Sequence, residues 1–259
     1  MSTTETIPLP PGRKVYFASD FHLGAPDAAH SRQREQQIVR WLDTIQADAE
    51  LIFLVGDIFD FWFEYKKTIP KGFIRLFGKL AELTDKGHRI IVFTGNHDMW
   101  METYFTDEMG IPVYRQPRDY IIGNKRFFVG HGDGLGPGDE TYKKLKVVFE
   151  HKFARKLFRW LHPDIGIQLA NAWSKQSRLS HYNDEHTKYQ GPETEWLFQY
   201  SRTIESQNHH DYYVFGHRHI PLNLEINPNS RYVNIGEWIL AKTYGVFDGD
   251  TLQLEKWTM

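Results

Sequence analysis

Residues 89–100 read RIIVFTGNHDMW, in which the apolar run Ile90 to Phe93 leads through Gly95 into Asn96, His97 and Asp98. A short run rich in β-branched side chains and closed by a glycine reads as a buried strand. A plain Gly-Asn turn does not account for three consecutive polar side chains, and Gly95 is read as letting the chain turn sharply so that Asn96 and His97 face a crevice. The same grammar recurs along the chain. KVYFAS (14–19) runs into Asp20 and His22, LIFLV (51–55) into Asp57 and Asp60, RFFV (126–129) into His131 and Asp133, and YYVF (212–215) into His217 and His219. Helical patterns at 31–47, 70–85 and 99–109 separate the first strands, and this β-α-β-α-β order predicts parallel strands with helical crossovers. Ligands of such sheets bind beyond the carboxyl ends of the strands. Five strand ends carrying Asp, His and Asn are therefore predicted to meet in one place.

Three further strands follow, RYVNIG (231–236), YGVFDG (244–249) and TLQLEKW (251–257), the last two as a hairpin around Asp248-Gly249-Asp250. Their close spacing predicts a second, more antiparallel sheet packed on the first. No repeat or low-complexity segment interrupts the chain. Residues 1–13 read as a flexible lead-in without the apolar core of a secretory signal. No stretch approaches the roughly 18 apolar residues of a membrane span. With 25% charged residues and a net charge of −2, nothing global invites a nucleic acid. The absence of cysteine excludes disulfides, thiolate metal sites and cysteine nucleophiles.

Histidine and carboxylate donors without thiolates suit divalent Mn²⁺, Fe²⁺, Co²⁺, Ni²⁺ or Zn²⁺. The donors suffice for two ions with one shared carboxylate, whose two oxygens are both expected to serve. Two metals about 3.5–4 Å apart clamp an in-line displacement at phosphorus, with a metal-bound hydroxide as nucleophile. No G-x-S-x-G elbow offers a serine instead. Taken singly, a Gly-Asp pair is an ordinary turn and a histidine an ordinary polar residue; five in order at strand ends are not.

The order D-x-H, G-D-x-x-D, G-N-H-D, G-H, G-H-x-H resembles the calcineurin-like metallophosphoesterases. That resemblance implies an α/β fold, a four-layer αββα sandwich of two mixed sheets flanked by helices over residues 14–259. It implies Asp20, His22 and His219 on one metal, Asn96, His131 and His217 on the other, and Asp57 between them. His97 would act near the leaving group as general acid or transition-state stabiliser, oriented by the Asp60 carboxylate. Asp98 is expected to cap the following helix.

Residues 138–205 form an insert that such a site does not require. DETYKKLKVVFEHKFARKLFRWLHP (139–163) reads as helix, and between Lys143 and Trp160 it carries seven Lys or Arg against one Glu, interleaved with Phe153, Leu157, Phe158 and other apolar residues. A second helix follows at 164–178. Basic and apolar residues mixed in this way mark either a helix covering a sheet or one lying on an anionic membrane surface. With GDIFDFW, GHGDGLGPGDETY and RYVNIGEW, the whole chain is similar to the UDP-2,3-diacylglucosamine diphosphatases of lipid A synthesis. This implies a hydrolase that releases UMP and a diacylglucosamine 1-phosphate, Mn²⁺ as the foremost metal, and a cytoplasmic enzyme touching the inner face of the inner membrane. By position, Asp139, Tyr142 and Arg178 would contact nucleotide or sugar, and Phe153, Leu157 and Trp160 acyl chains. No nucleic acid and no obligate protein partner is expected. The competing classes are an enzyme of soluble phosphoesters and a non-catalytic scaffold. His209-His210 is read as a solvated turn.

Overall fold

Strand β2 (Lys14–Ala18) sends Val15 and Phe17 to one face and Tyr16 and Ala18 to the other, and all four are buried. A strand dry on both faces must lie inside a layered structure. The computed structural model describes residues 4–137, 140–182 and 189–258, with the backbone alone described at 140–142, 145, 150, 171, 173 and 175–182. The first sheet has the order β12-β11-β2-β3-β4-β5, where β3 is Ala49–Val55, β4 Arg89–Phe93, β5 Val113–Tyr114, β11 Thr243–Phe247 and β12 Leu252–Lys256. Its strands β2 to β5 pair in parallel, as the alternation with helices predicts, and the crossovers are α1 (Ala28–Ile45), α2 (Ile74–Asp85) and α3 (Tyr104–Met109).

The second sheet has the order β1-β6-β7-β8-β10-β9, with β1 Glu5–Ile7, β6 Arg118–Ile122, β7 Lys125–Val129, β8 Tyr212–Phe215, β9 Leu222–Asn227 and β10 Ser230–Asn234. It is mixed, not mainly antiparallel: β7, β8 and β10 run parallel. The C-terminal hairpin forms as expected but joins the first sheet, through antiparallel pairing of β11 with β2. The reading of 1–13 as a flexible lead-in also needs correction, because β1 pairs with β6 and buries Ile7.

Three apolar layers hold the stack together. Trp41, Leu42, Leu76 and Leu80 of the outer helices pack against Tyr16, Ile52, Leu54 and Val92. Phe17, Phe53, Val55 and Phe93 meet Tyr120, Phe127, Val129 and Val214 between the sheets. Leu197 and Phe198 of α7 (Trp196–Glu205) cover Tyr213, Phe215 and Tyr232 of the second sheet. The architecture is the four-layer αββα sandwich. Because α7 is its outer layer, the lid-like part of the insert reduces to α4 (Glu140–Glu150), α5 (Lys152–Arg159) and α6 (Pro163–Tyr182). The helix expected at 139–163 breaks at His151, which accepts the Phe153 N–H as the N-cap of α5.

Glu205, at the end of α7, joins this layer to the second sheet. Its carboxylate accepts from Asn227 Nδ2 and from the hydroxyls of Ser230 and Tyr213, besides the His210 N–H and the His209 ring. Burial would raise its pKa, but these bonds outweigh burial and pull it down to about 2 from 4.5. A group depressed in the folded state stabilises above its unfolded pKa and loses that contribution as pH falls towards the folded one. Glu205→Gln is thus expected to cost about 1–3 kcal/mol at pH 7, and the deficit should shrink between pH 4.5 and 2. Urea melts of both proteins across that range check it. His210 is likewise not solvated: it is buried, with Nε2 2.5 Å from Asp119 Oδ1.

Candidate metal centre

Beyond the ends of β2 and β3 the parallel pairing continues into the loops: Asp20 N–H donates to the Gly56 carbonyl, His22 N–H to Asp57 and Leu23 N–H to Ile58. This zips D-x-H against G-D-x-x-D and aims Asp20, His22 and Asp57 into one buried space. The backbone bends sharply to do so. Among the described residues seven non-glycine residues have positive φ, and five of them are Asp20, His22, Asp57, His217 and His219. Strain of this kind, concentrated at one spot and held by packing, marks a functional site. Gly95 is needed for a different reason from the one expected. It is not a positive-φ residue, but a Cβ there would overlap Asp57 Oδ1 and its backbone nitrogen. Its lack of a side chain lets two loops touch.

Two donor groups share Asp57. In the first, Asp20, His22, Asp57 and His219 bring donor atoms within 4.8 Å of one another. His22 Nε2 stands 3.0 Å from His219 Nε2 and 3.7 Å from both Asp20 Oδ1 and Asp57 Oδ2, and His219 Nε2 stands 3.0 Å from Asp20 Oδ1. In the second, Asn96 Oδ1 lies 2.9 Å from His217 Nδ1 and 3.3 Å from His131 Nε2, which is 3.4 Å from Asp57 Oδ2. Ligands about 2.1 Å from one cation sit roughly 3.0–4.2 Å apart, from right-angled to opposite positions, and the first group falls within that span, while the second brings Asn96, His131 and Asp57 to comparable separations. Two imidazole nitrogens facing each other at 3.0 Å in a part-buried space, with the buried Asp20 Oδ1 beside them, also fit a cation better than each other. The shared carboxylate differs from expectation. Asp57 Oδ1 accepts the His97 N–H at 2.9 Å, and the same Oδ2 faces both groups. One oxygen is placed to be shared, not two.

Charge in this space is organised around the same carboxylates. Burial alone would favour neutral Asp20 and Asp57, yet the surrounding histidines hold both below the ordinary carboxylate range. Burial opposes a charge on His131, but Asp57 pushes it up to about 10. Burial lowers His217 to about 3 and His97 to about 4. Buried negative charge compensated by neighbouring cationic groups is a setting that a divalent ion relieves.

The Asp60 carboxylate is not the direct partner of His97, since its Oδ1 is 3.9 Å from His97 Nδ1 and 3.6 Å from His22 Nδ1. The backbone carbonyl of Asp60, at 3.0 Å, and Ser174 Oγ, at 2.9 Å, hold the His97 ring. Asp98 does not cap a helix either. Its buried carboxylate accepts from the N–H groups of Gly95 and Ile58, each at 2.7 Å, and clamps the two loops together. Asp133 receives Lys146 of α4 at 2.6 Å. Arg218, between the two histidines of its loop, pairs with buried Glu195 at 3.0 Å and stacks on Trp196. Ser174, Glu195 and Lys146 carry no motif, and only the folded chain reveals them.

Helices α4 to α6 dock on the loops of the centre. Trp100 Nε1 donates to the Phe149 carbonyl, Glu102 receives Arg155 and Arg159, and the Phe158 ring packs on Phe63 and Trp100. Phe153, Leu157 and Trp160 are not gathered at the metal groups but exposed, at 69%, 63% and 82%. Trp160 lines a recess of about 420 Å³ with Lys66, Glu102, Lys152, Arg155, Lys156 and Arg159. Asp139 and the side chains of Tyr142 and Arg178 lie outside the described residues.

The calcineurin-like phosphoesterase family matches residues 13–221. The chain belongs to that family. As a member it is a metal-dependent hydrolase. UDP-2,3-diacylglucosamine hydrolase of Porphyromonas gingivalis is 35% identical over 93% of this chain and 97% of its own length. The protein of that name from Haemophilus ducreyi is 23% identical over 86% and 91%. Among solved structures, Vps29 of Entamoeba histolytica complexed with Zn²⁺ superposes with a TM-score of 0.42 at 13% identity, covering 93% of this chain and 97% of that one.

Proposed function

We propose that this protein hydrolyses the pyrophosphate bond of UDP-2,3-diacylglucosamine, releasing UMP and 2,3-diacylglucosamine 1-phosphate. The observation that carries the substrate is the 35% identity to a hydrolase of that name along nearly the whole of both chains. Asp20, His22 and His219 would hold one divalent cation and Asn96, His131 and His217 the other, with Asp57 Oδ2 shared. The resemblance to the UDP-2,3-diacylglucosamine diphosphatases favours Mn²⁺, and the donor set also suits Fe²⁺, Co²⁺, Ni²⁺ or Zn²⁺. When bound, such ions supply Lewis acidity and a water acidified towards neutrality. The remaining tasks fall to the chain. Asp57 Oδ1 fixes the His97 backbone. His97, part-buried beside the first donor group with its ring 4.8 Å from that of His22, would stabilise or protonate the leaving phosphate. Asp60 and Asp98 hold the two loops at their working separation.

The lid helices supply the lipid side of the reading. The chain from β1 onward acts as one catalytic domain with α4 to α6 as the lid. Phe153, Leu157 and Trp160 are exposed beside Lys152, Lys156 and Arg159, a pattern that suits acyl chains and the anionic inner surface of the cytoplasmic membrane. Among the described residues no helix is long and apolar enough to cross a membrane, and the contact proposed is a peripheral one. Release of UMP from UDP-2,3-diacylglucosamine by Mn²⁺-loaded protein, measured beside a soluble diester, is the test. Faster turnover of the lipid is expected, and preference for the soluble ester would remove the substrate. The double substitution Phe153→Ala, Trp160→Ala should lower activity on the acylated substrate about tenfold, the worth of one buried side chain's contact at 1–3 kcal/mol, and leave the diester rate unchanged. Equal losses would assign α5 a structural role only.

A further inference from the structure

Helix α6 reaches the metal centre through Ser174. Ser174 is 9% exposed and sets its hydroxyl 2.9 Å from His97 Nδ1, 77 positions away in the chain. The same oxygen lies 2.8 Å from Asp60 Oδ2 and 2.9 Å from the Asp60 carbonyl. That carbonyl is 3.0 Å from His97 Nδ1 and can only accept, so Nδ1 carries the ring hydrogen. A serine hydroxyl has a single hydrogen to give. Directed at Asp60 Oδ2, it leaves Ser174 Oγ to share the Nδ1–H with the Asp60 carbonyl in a three-centre bond. Asp60 Oδ1 is 3.9 Å from that nitrogen, beyond direct hydrogen bonding.

We infer that Ser174 is a positioning residue that connects the His97 ring to the Asp60 carboxylate. The inference rests on His97 acting at the leaving group, as proposed above, but not on the identity of the lipid substrate. Its consequence concerns order of assembly. Asp60 and His97 belong to the scaffold, whereas Ser174 arrives only when α6 is seated, alongside the α4 and α5 contacts at Asp133 and Glu102. The ring is therefore fully oriented only under a docked lid, so seating the lid and completing the site are one event. The Asp60 carbonyl sets the tautomer: with Nδ1–H committed to this side, Nε2 is the nitrogen left for the substrate.

The test is a double-mutant cycle on the Mn²⁺-loaded, full-length protein with bis(p-nitrophenyl) phosphate, which needs no assumption about the lipid. Ser174→Ala is expected to lower kcat about tenfold, the low end for removing a group that orients an essential side chain. KM and bound metal per chain should stay as in the parent, and Ser174→Thr, which keeps the hydroxyl, should restore most of the rate. In a His97→Ala background the Ser174→Ala change should cost nothing further, because its only route to the reaction is gone. The same tenfold loss in that background would make Ser174 merely structural and overturn the inference. A silent Ser174→Ala beside a slow His97→Ala would overturn it while leaving the His97 role intact. A fully active His97→Ala would overturn both. Hydrolysis of the diester but not of UDP-2,3-diacylglucosamine would sink the proposed substrate alone and leave the cycle valid.

Discussion

Asp57→Ala is expected to empty both cation positions and to lower turnover at least about 10³-fold. The size follows from the several kcal/mol of charge stabilisation that a Lewis-acidic ion supplies, at about 1.4 kcal/mol per factor of ten. The reason both positions go together is geometric. Asp57 Oδ2 is 3.7 Å from His22 Nε2 and 3.4 Å from His131 Nε2, so one atom belongs to both donor groups. Without it each group loses its shared anion, and two dications would repel each other with Asp20 as the one carboxylate left among the proposed donors. Loss of Oδ1 also releases the His97 N–H. Fold should survive, because Asp57 lies in a loop whose backbone bonds to His22 and whose neighbour Ile58 is held by Asp98. Metal analysis after dialysis, together with a thermal melt, reads the outcome. A protein that keeps both ions yet loses activity would show that Asp57 serves the chemistry without being the shared ligand.

Much of this centre was legible in the chain because its parts obey local rules. A strand buried on both faces must be an unbroken apolar run, and a donor placed just after it must emerge at the sheet's carboxyl edge. Asp20, Asp57, Asn96, His131 and His217 each follow such a run, and the structure gathers all five. What stayed hidden depends on distance or on a single atom. Ser174 reaches Asp60 across 114 positions by the phase of a helix, which no local pattern encodes. His210 meets Asp119 across 91 positions, and its exposed-looking dipeptide gives no hint of it. Which oxygen of Asp57 is shared depends on where one backbone N–H points. The C-terminal hairpin was readable as a hairpin, but its choice of sheet depends on pairing with β2, more than 200 positions away. β1 is three residues long and flanked by polar and proline positions, so its apolar signal is a single buried side chain, Ile7.

His97→Ala should separate metal binding from chemistry. His97 is not placed in either donor group around Asp57 Oδ2; its Nδ1 faces the Asp60 carbonyl and Ser174 instead. Both cations are therefore expected to remain, with turnover falling by about 10²–10⁴, the range for a positioned proton donor. A series of aryl phosphodiesters with increasingly basic leaving groups then separates its two remaining roles. If His97 delivers a proton, the penalty should grow steadily along the series, since a poorer leaving group depends more on protonation. If it stabilises charge on the phosphoryl oxygens, the penalty should be the same throughout. Burial favours the neutral ring, holding His97 down at about 4, whereas Asp57 pulls the other way. A proton donor there needs the negative charge of a bound phosphate to become populated near neutral pH. The proton-delivery outcome would thus also mean that substrate binding loads the acid. Loss of metal in His97→Ala would place the ring inside the coordination shell and overturn the assignment on which both roles rest.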